Sequence, residues 1–321
     1  MKLEGKTLEE YLSEIETKML KAEEDSDEIV IRDLTAQKGD RYLEFGDKER
    51  HREFYMKAYE KAVGASKKLD YLMVVLHSYY EANMMDLFFS TFEKCKNLNQ
   101  DDGDWEKKNK LNIYEGIIEI LRRNLRQAAF LFIGSINTFN ATEIISFETL
   151  VCYSSILGLI TLGRKEFKEK IINSSEVLGV YLDNTSISDF VESIYYGKYS
   201  QVFTQLLKLN DTVLTSDRFL KVHRKFIVRQ LRIKIFTQYL QSYKTVKLDR
   251  MAQDFGVSAN FLDEELYSLI SNDDLACNVD KVNNVVESSH PDSQLKDLKD
   301  IIKNGDKLLE QIHKLAKQAH A

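Results

Sequence analysis

Residues 245–287 read TVKLDRMAQDFGVSANFLDEELYSLISNDDLACNVDKVNNVVE. Thr245-Val246-Lys247 is a short β-prone run. A helical pattern follows over Leu248–Phe255, then the break Gly256-Val257-Ser258, then a second helix over Ala259–Ser271. A helix, a turn opened by glycine and a serine placed to cap the next helix mark a helix-turn-helix. Two more β-prone runs, Leu275–Val279 and Val282–Glu287, predict a hairpin around a tight Asp280-Lys281 turn. With a long helix predicted upstream over Phe226–Ser242, three helices and a small hairpin make a winged helix.

Such a module raises the question of DNA. A reading helix brings Lys, Arg, Asn or Gln to base edges and phosphates. Here residues 258–272 contain no Lys or Arg and carry Asp263, Glu264 and Glu265, with Asp273 and Asp274 just beyond. A phosphate backbone would repel that face. The basic residues Arg224, Lys225, Arg229, Arg232 and Lys234 lie on the preceding helix, outside the reading position. The whole chain has a net charge of −6, which supplies no general attraction to nucleic acid or to an anionic membrane. The module therefore reads as one that joins proteins.

Downstream, Pro291 ends the module and a last helix is predicted over Gln294–Gln318. Its stripe of Leu295, Leu298, Ile302, Gly305, Leu309, Ile312 and Ala316 steps in threes and fours, and Ile301, Leu308 and Leu315 widen it. That face is broad enough to need a partner helix.

Upstream, the chain repeats helix, short turn, helix. The predicted pairs are Leu34–Phe45 with Lys48–Val63, Leu69–Glu81 with Met85–Leu98, and Trp105–Leu121 with Arg126–Phe139. Their turns at Gly46, Asn83 and Asn124 fall 37 and then 41 residues apart, the spacing of a tetratricopeptide-like solenoid. Tyr42, Tyr55, Tyr59, Tyr79, Tyr80, Phe88, Phe89, Ala128, Ala129 and Phe130 are expected where stacked helices touch. Further helical stretches are predicted over Ser146–Leu162, Arg164–Ile172, Ser186–Tyr196 and Tyr199–Leu209, with Gly197 breaking the last two. The acidic run from Glu23 to Glu28 reads as a solvated loop.

The fold class is thus all-α: a tetratricopeptide-like right-handed solenoid, a winged-helix module with a small hairpin, and a C-terminal bundling helix. The expected divisions are an acidic helical segment over 1–30, helical repeats over 31–140, a helical subdomain over 141–225, the winged helix over 226–290 and the assembly helix over 292–321. A single proline in 321 residues agrees with this, since few breakers interrupt the helices.

Chemistry is hard to place. Gly5-Lys6-Thr7 resembles the tail of a phosphate-binding loop, but the loop needs a further glycine that four preceding residues cannot provide. The six histidines, His51, His77, His223, His290, His313 and His320, show no zinc-ligand spacing. There is no Gly-x-Ser-x-Gly elbow. Cys95, Cys152 and Cys277 are far apart and odd in number, as expected of thiols in a reducing compartment. No catalytic residue, metal ligand or cofactor is expected. The charged N-terminus shows no secretory signal and no apolar run suits a bilayer span, so the expected location is cytoplasm and nucleus.

Several blocks carry a resemblance: Gly103-Asp104-Trp105-Glu106-Lys107-Lys108-Asn109-Lys110, the run from Leu162 to Ile172, Phe226-Ile227-Val228-Arg229, Ser242-Tyr243-Lys244-Thr245, Met251 to Ser258, Asp280 to Glu287, and Gly305-Asp306. From about Leu34 onward the chain resembles the PCI-domain subunits of the 26S proteasome regulatory particle lid. The resemblance implies a non-catalytic structural role in ubiquitin-dependent protein degradation. In that family the winged helices of six subunits associate side by side and the C-terminal helices gather in one bundle; the metalloprotease activity belongs to another subunit. Implied partners are other PCI lid subunits and proteasome ATPase and core subunits, in a hetero-oligomer without nucleic acid or membrane. Measured against that family, the chain is short of N-terminal sequence. A PCI scaffold subunit of the signalosome or of translation initiation shares the architecture, and a nucleic-acid-binding winged-helix protein is a third reading. On both counts, sequence and resemblance, the expected interface residues are Leu275, Val279, Val282, Val285 and Val286 of the wing and Leu298, Ile302, Leu309, Ile312 and Ala316 of the last helix.

Overall fold

A computed structural model of the chain describes residues 8–24, 27–99, 105–288 and 293–319. Gly5-Lys6-Thr7, Gly103-Asp104, His290, Pro291 and His320 lie outside them. The chain divides into two compact units, residues 1–161 and 162–321.

The first unit is built from eight helices among the described residues: α1 (Leu8–Glu24), α2 (Glu28–Glu44), α3 (Lys48–Glu60), α4 (Ala65–Ala82), α5 (Met85–Asn99), α6 (Trp105–Leu121), α7 (Leu125–Ser135) and α8 (Phe147–Thr161). Each packs chiefly on its neighbours in sequence, as a helical-repeat array requires. The expected turns are where the sequence puts them. Gly46 has φ +91°, a region that costs glycine nothing, and Asn83 ends α4 at φ +60°, an αL cap with its N–H facing the Tyr79 and Tyr80 carbonyls. Inside, Leu69, Leu72 and Leu76 are fully buried, and Tyr114 meets both Tyr80 and Phe88 edge to face. The helices α6 and α7 come so close at Gly116 that an added Cβ would stand 2.6 Å from the Phe132 ring.

Two expectations change here. Helix α2 starts at Glu28 rather than Leu34, so the acidic run is split between the end of α1 and the start of α2. Phe130, expected in the core, is 68% exposed, because α7 buries Leu125, Ala128, Ala129 and Phe132 on its opposite side.

The second unit opens with α9 (Arg164–Phe167), which runs on into a π-helical turn over Lys168–Ile172. Next come α10 (Ser175–Asp183), which the sequence reading did not foresee, α11 (Thr185–Tyr195) and α12 (Tyr199–Leu209). Gly197, at φ +71°, makes the break between α11 and α12. A second π turn, Asn210–Leu214, leads to α13 (Leu220–Leu240). This helix begins six residues ahead of the expected Phe226, because the Asp217 carboxylate accepts from the Phe219 and Leu220 N–H groups at 2.8 and 2.7 Å and satisfies donors at the helix start.

Then follow β1 (Thr245–Lys247), α14 (Leu248–Phe255), α15 (Ala259–Ser271), β2 (Cys277–Asp280), β3 (Val285–Ser288) and α16 (Ser293–Ala319). The three strands form one antiparallel sheet in the order β1-β3-β2, with Val246 opposite Val286 and Val279 opposite Val286 on the other side. The winged helix therefore closes on a three-stranded sheet rather than a lone hairpin. Its core gathers Phe255 among Tyr199, Phe203, Phe236 and Tyr239, with ring centroids 5.0–5.5 Å apart.

Candidate protein-interaction surface

The helix-turn-helix forms as its residues dictate. Gly256 ends α14 at φ +67°, where a side chain would be strained, and the Ser258 hydroxyl accepts from the Phe261 N–H at 3.3 Å to cap α15. The wing departs from expectation by a few residues. Asp280 closes β2 opposite Val285 instead of standing in the turn, and the turn spans residues 281–284. The Asp280 carboxylate still organises that turn, accepting from the Val282 N–H at 2.9 Å and the Asn283 side-chain amide at 2.8 Å. The Asn283 amide, aided by the backbone N–H groups, holds this carboxyl below its ordinary range.

Most acidic residues in and just after α15 are engaged within the chain. Asp263 pairs with Lys281 of the wing turn at 3.0 Å, Glu265 with Arg232 of α13 at 2.9 Å, and Asp274 with Arg229 at 2.6 Å. Two of the three α15 acids thus tie the module together, and Glu264 is the one left exposed without such a pair among the described residues. Tyr267 and Phe261, 68% and 41% exposed, stand on the outer side of the same helix. Their sequence signal is that both aromatics fall off the buried stripe of Leu262, Leu266 and Leu269.

The expected interface residues separate into two groups. Leu275 and Val286 are 5% and 0% exposed; they belong to the chain's own core and have no surface to offer. Val279 and Val285 are half-buried, while Val282 projects from the wing turn at 92% exposure. On α16 the picture is uniform. Leu298, Ile302, Leu309 and Ile312, with Ile301 and Leu308 beside them, are each more than half exposed. Ala316 lies in α16, but its side chain is outside the described residues. At 27 residues the helix is about 40 Å long and presents one apolar stripe along its described length.

Among the described residues no group of three or more His, Cys, Asp or Glu is placed to hold a metal ion. All three cysteines are buried and unpaired with one another, and burial pushes the Cys277 thiol up to about 11. The histidines are dispersed: His51 contacts the Gly39 carbonyl at 2.9 Å, His77 the Tyr114 hydroxyl at 3.2 Å, and His313 the Leu309 carbonyl at 2.9 Å. No described helix is long and apolar enough to cross a membrane.

Compared with known proteins, residues 2–170 match the family model described as 26S proteasome subunit RPN7, and residues 201–290, from α12 through β3, match that of the PCI domain. A curated relative from Arabidopsis thaliana, 26S proteasome non-ATPase regulatory subunit 6 homolog, is 34% identical over 309 residues, covering 96% of this chain and 80% of its own length. The 26S proteasome non-ATPase regulatory subunit 6 of Dictyostelium discoideum is 32% identical, covering 96% and 81%. The 26S proteasome regulatory subunit RPN7 of Saccharomyces cerevisiae is 34% identical over 310 residues, covering 95% and 72%. A helical-repeat unit, a winged helix built on a three-stranded sheet and this sustained similarity lead to one conclusion: the chain belongs to the 26S proteasome subunit RPN7 family and carries a PCI domain.

Proposed function

We propose that the chain is a non-catalytic scaffold subunit of the 26S proteasome regulatory particle lid, acting in ubiquitin-dependent protein degradation in cytoplasm and nucleus. Its partners are other PCI lid subunits, which it meets through the wing and α16, together with proteasome ATPase and core subunits. The names of its relatives support the assignment to the regulatory particle. The observation that carries the scaffold role is the apolar stripe of α16, six large aliphatic side chains each more than half exposed. Soluble proteins rarely leave such a stripe open to water unless a partner covers it.

On this reading the wing and α16 are the two contact surfaces. Val282, Val279 and Val285 then contribute at the wing, and Leu298, Ile302, Leu309 and Ile312 along α16. Affinity purification of the tagged full-length chain with identification of co-purifying proteins tests the assignment. Lid subunits and proteasome ATPases in stoichiometric amounts are the expected result. Recovery of signalosome or translation-initiation subunits in their place would overturn it.

A further inference from the structure

The basic run on α13 finds its partners unevenly. Arg229 pairs with Asp274 at 2.6 Å, Arg232 with Glu265 at 2.9 Å, and Lys234 donates to the Leu162 carbonyl at 2.9 Å. Arg224 donates only to a neutral group, the Thr215 hydroxyl at 3.1 Å, and Lys225 is exposed; among the described residues neither has a carboxylate partner. Both stand at the rim of a cleft of about 830 Å³. Its floor is apolar: Phe203, Leu206 and Leu207 of α12, Val228 of α13, and Val257 and Phe261 from the corner of the helix-turn-helix. Leu207 is 64% exposed within it. Among the described residues no carboxylate lines the cleft, and Glu265, the partner of its lining residue Arg232, is engaged by that pair.

We propose that this cleft binds one amphipathic helix of a neighbouring protein, its apolar face on the floor and an acidic flank beside Arg224 and Lys225. The walls are helices and a helix-turn-helix corner, and no strand lines the cleft. An extended peptide would leave its backbone N–H and C=O groups without main-chain partners there, whereas a helix satisfies its own. The α13 stretch from Arg224 to Arg232 rises about 12 Å, roughly two helical turns, which suits apolar anchors at i, i+3 or i+4, and i+7. Charge selects the occupant. The chain's own α16 carries six Lys against four Asp and Glu, so a second copy presenting α16 would bring the wrong sign to this rim. The cleft is a further docking surface, separate from the wing and from α16, and its use requires neither.

The test places a photo-crosslinking residue in the cleft (Leu207→p-benzoylphenylalanine) in the full-length chain, within whatever assembled complex it enters. The crosslinked segment is identified by peptide sequencing, and assembly is scored separately by co-migration. The expected product is one segment of a neighbouring protein with apolar residues three and four apart and acidic residues alongside. Its yield should fall at least tenfold in an Arg224→Glu/Lys225→Glu chain and severalfold in Lys225→Glu alone, which leaves the Arg224–Thr215 contact intact. Assembly with an unchanged crosslink in both charge variants would overturn the proposal. So would a crosslink to a second copy of this chain, a crosslink to a segment without acidic residues, or no protein crosslink in the assembled complex. Failure to assemble at all is a different result and counts against the scaffold reading instead.

Discussion

Tyr239 of α13 donates a 2.8 Å hydrogen bond to the Asp254 carboxylate of α14, and this contact helps fasten the helix-turn-helix to the long helix that carries it. The ring of Tyr239 is 2% exposed and packs at 5.0 Å on Phe255 and 5.1 Å on Tyr199, so the hydroxyl is delivered to Asp254 by a packed aromatic group. Asp254 also faces Arg250 one turn earlier at 3.3 Å. Tyr239→Phe keeps the packing and removes only the hydrogen bond to a charged acceptor. A loss of about 1.5–3 kcal/mol is expected by urea denaturation. An unchanged midpoint would show that water replaces the bond without cost.

The same residue sets a pH response. Burial first, then the hydrogen bond to Asp254, raise the Tyr239 hydroxyl above its ordinary value; burial and Asp40 do the same for Tyr55, and burial for Tyr114. A group whose pKa is raised on folding contributes stability that is complete below its unfolded value, near 10 for tyrosine, and is lost as pH rises through the folded value. Burial raises the Cys95 and Cys277 thiols in the same sense from an unfolded value near 8.5, so thermal stability should be level from neutral pH to about pH 8.5, decline above it and fall more steeply above about pH 10. Tyr239→Phe should flatten part of that fall. No steepening above about pH 10 would contradict the tyrosine contribution.

The wing offers a paired substitution. Val286 is fully buried at the centre of the sheet, while Val282 stands 92% exposed at the turn. Val286→Asp buries a charge without a partner and is expected to unfold the winged helix, a cost of several kcal/mol. Val282→Asp should leave the melting temperature of the isolated chain within about 1–2 °C, as exposed substitutions do, and weaken incorporation into the complex. Circular dichroism melting of both proteins separates these outcomes.

In the solenoid, Gly116→Ala introduces a Cβ 2.6 Å from the ring of Phe132, itself fully buried and packed against Tyr153 at 5.6 Å. The ring has no room to withdraw, so overpacking should outweigh the gain in helix propensity and cost about 1–3 kcal/mol. Pairing it with Phe132→Leu should restore part of the loss. No rescue would mean that the strain lies in the backbone.

Much of this architecture was legible in the residues because local chemistry and tertiary structure agree. Gly256 and Ser258 announce a turn and a cap, and both act as such. The repeated turns at Gly46 and Asn83 likewise declare themselves. The misreadings have physical sources. Asp280 reads as a turn residue, yet its backbone pairs in β2 while its side chain shapes the turn from outside. Helix α10 is hard to read because it is only nine residues long and carries Gly179 in its middle. The start of α13 depends on the Asp217 carboxylate, whose capping role the apolar periodicity does not register. For the interaction surface the limit is deeper. Alternation of apolar residues is the same whether they face the chain's own core or a neighbour, so Leu275 and Val286 were grouped with Val282 although only Val282 is open.

On the proposed scaffold role, the apolar stripe of α16 is an assembly surface and contributes nothing to the fold of the isolated chain. Leu309 and Ile312, 55% and 58% exposed, lie on that stripe. The direct measurement compares the Leu309→Asp/Ile312→Asp chain with the unchanged one, by melting temperature alone and by incorporation into the affinity-purified complex. The prediction is a melting temperature within about 1–2 °C, as for other exposed substitutions, with incorporation reduced at least tenfold. Normal incorporation, or a large drop in melting temperature from lost packing within the chain, would contradict it.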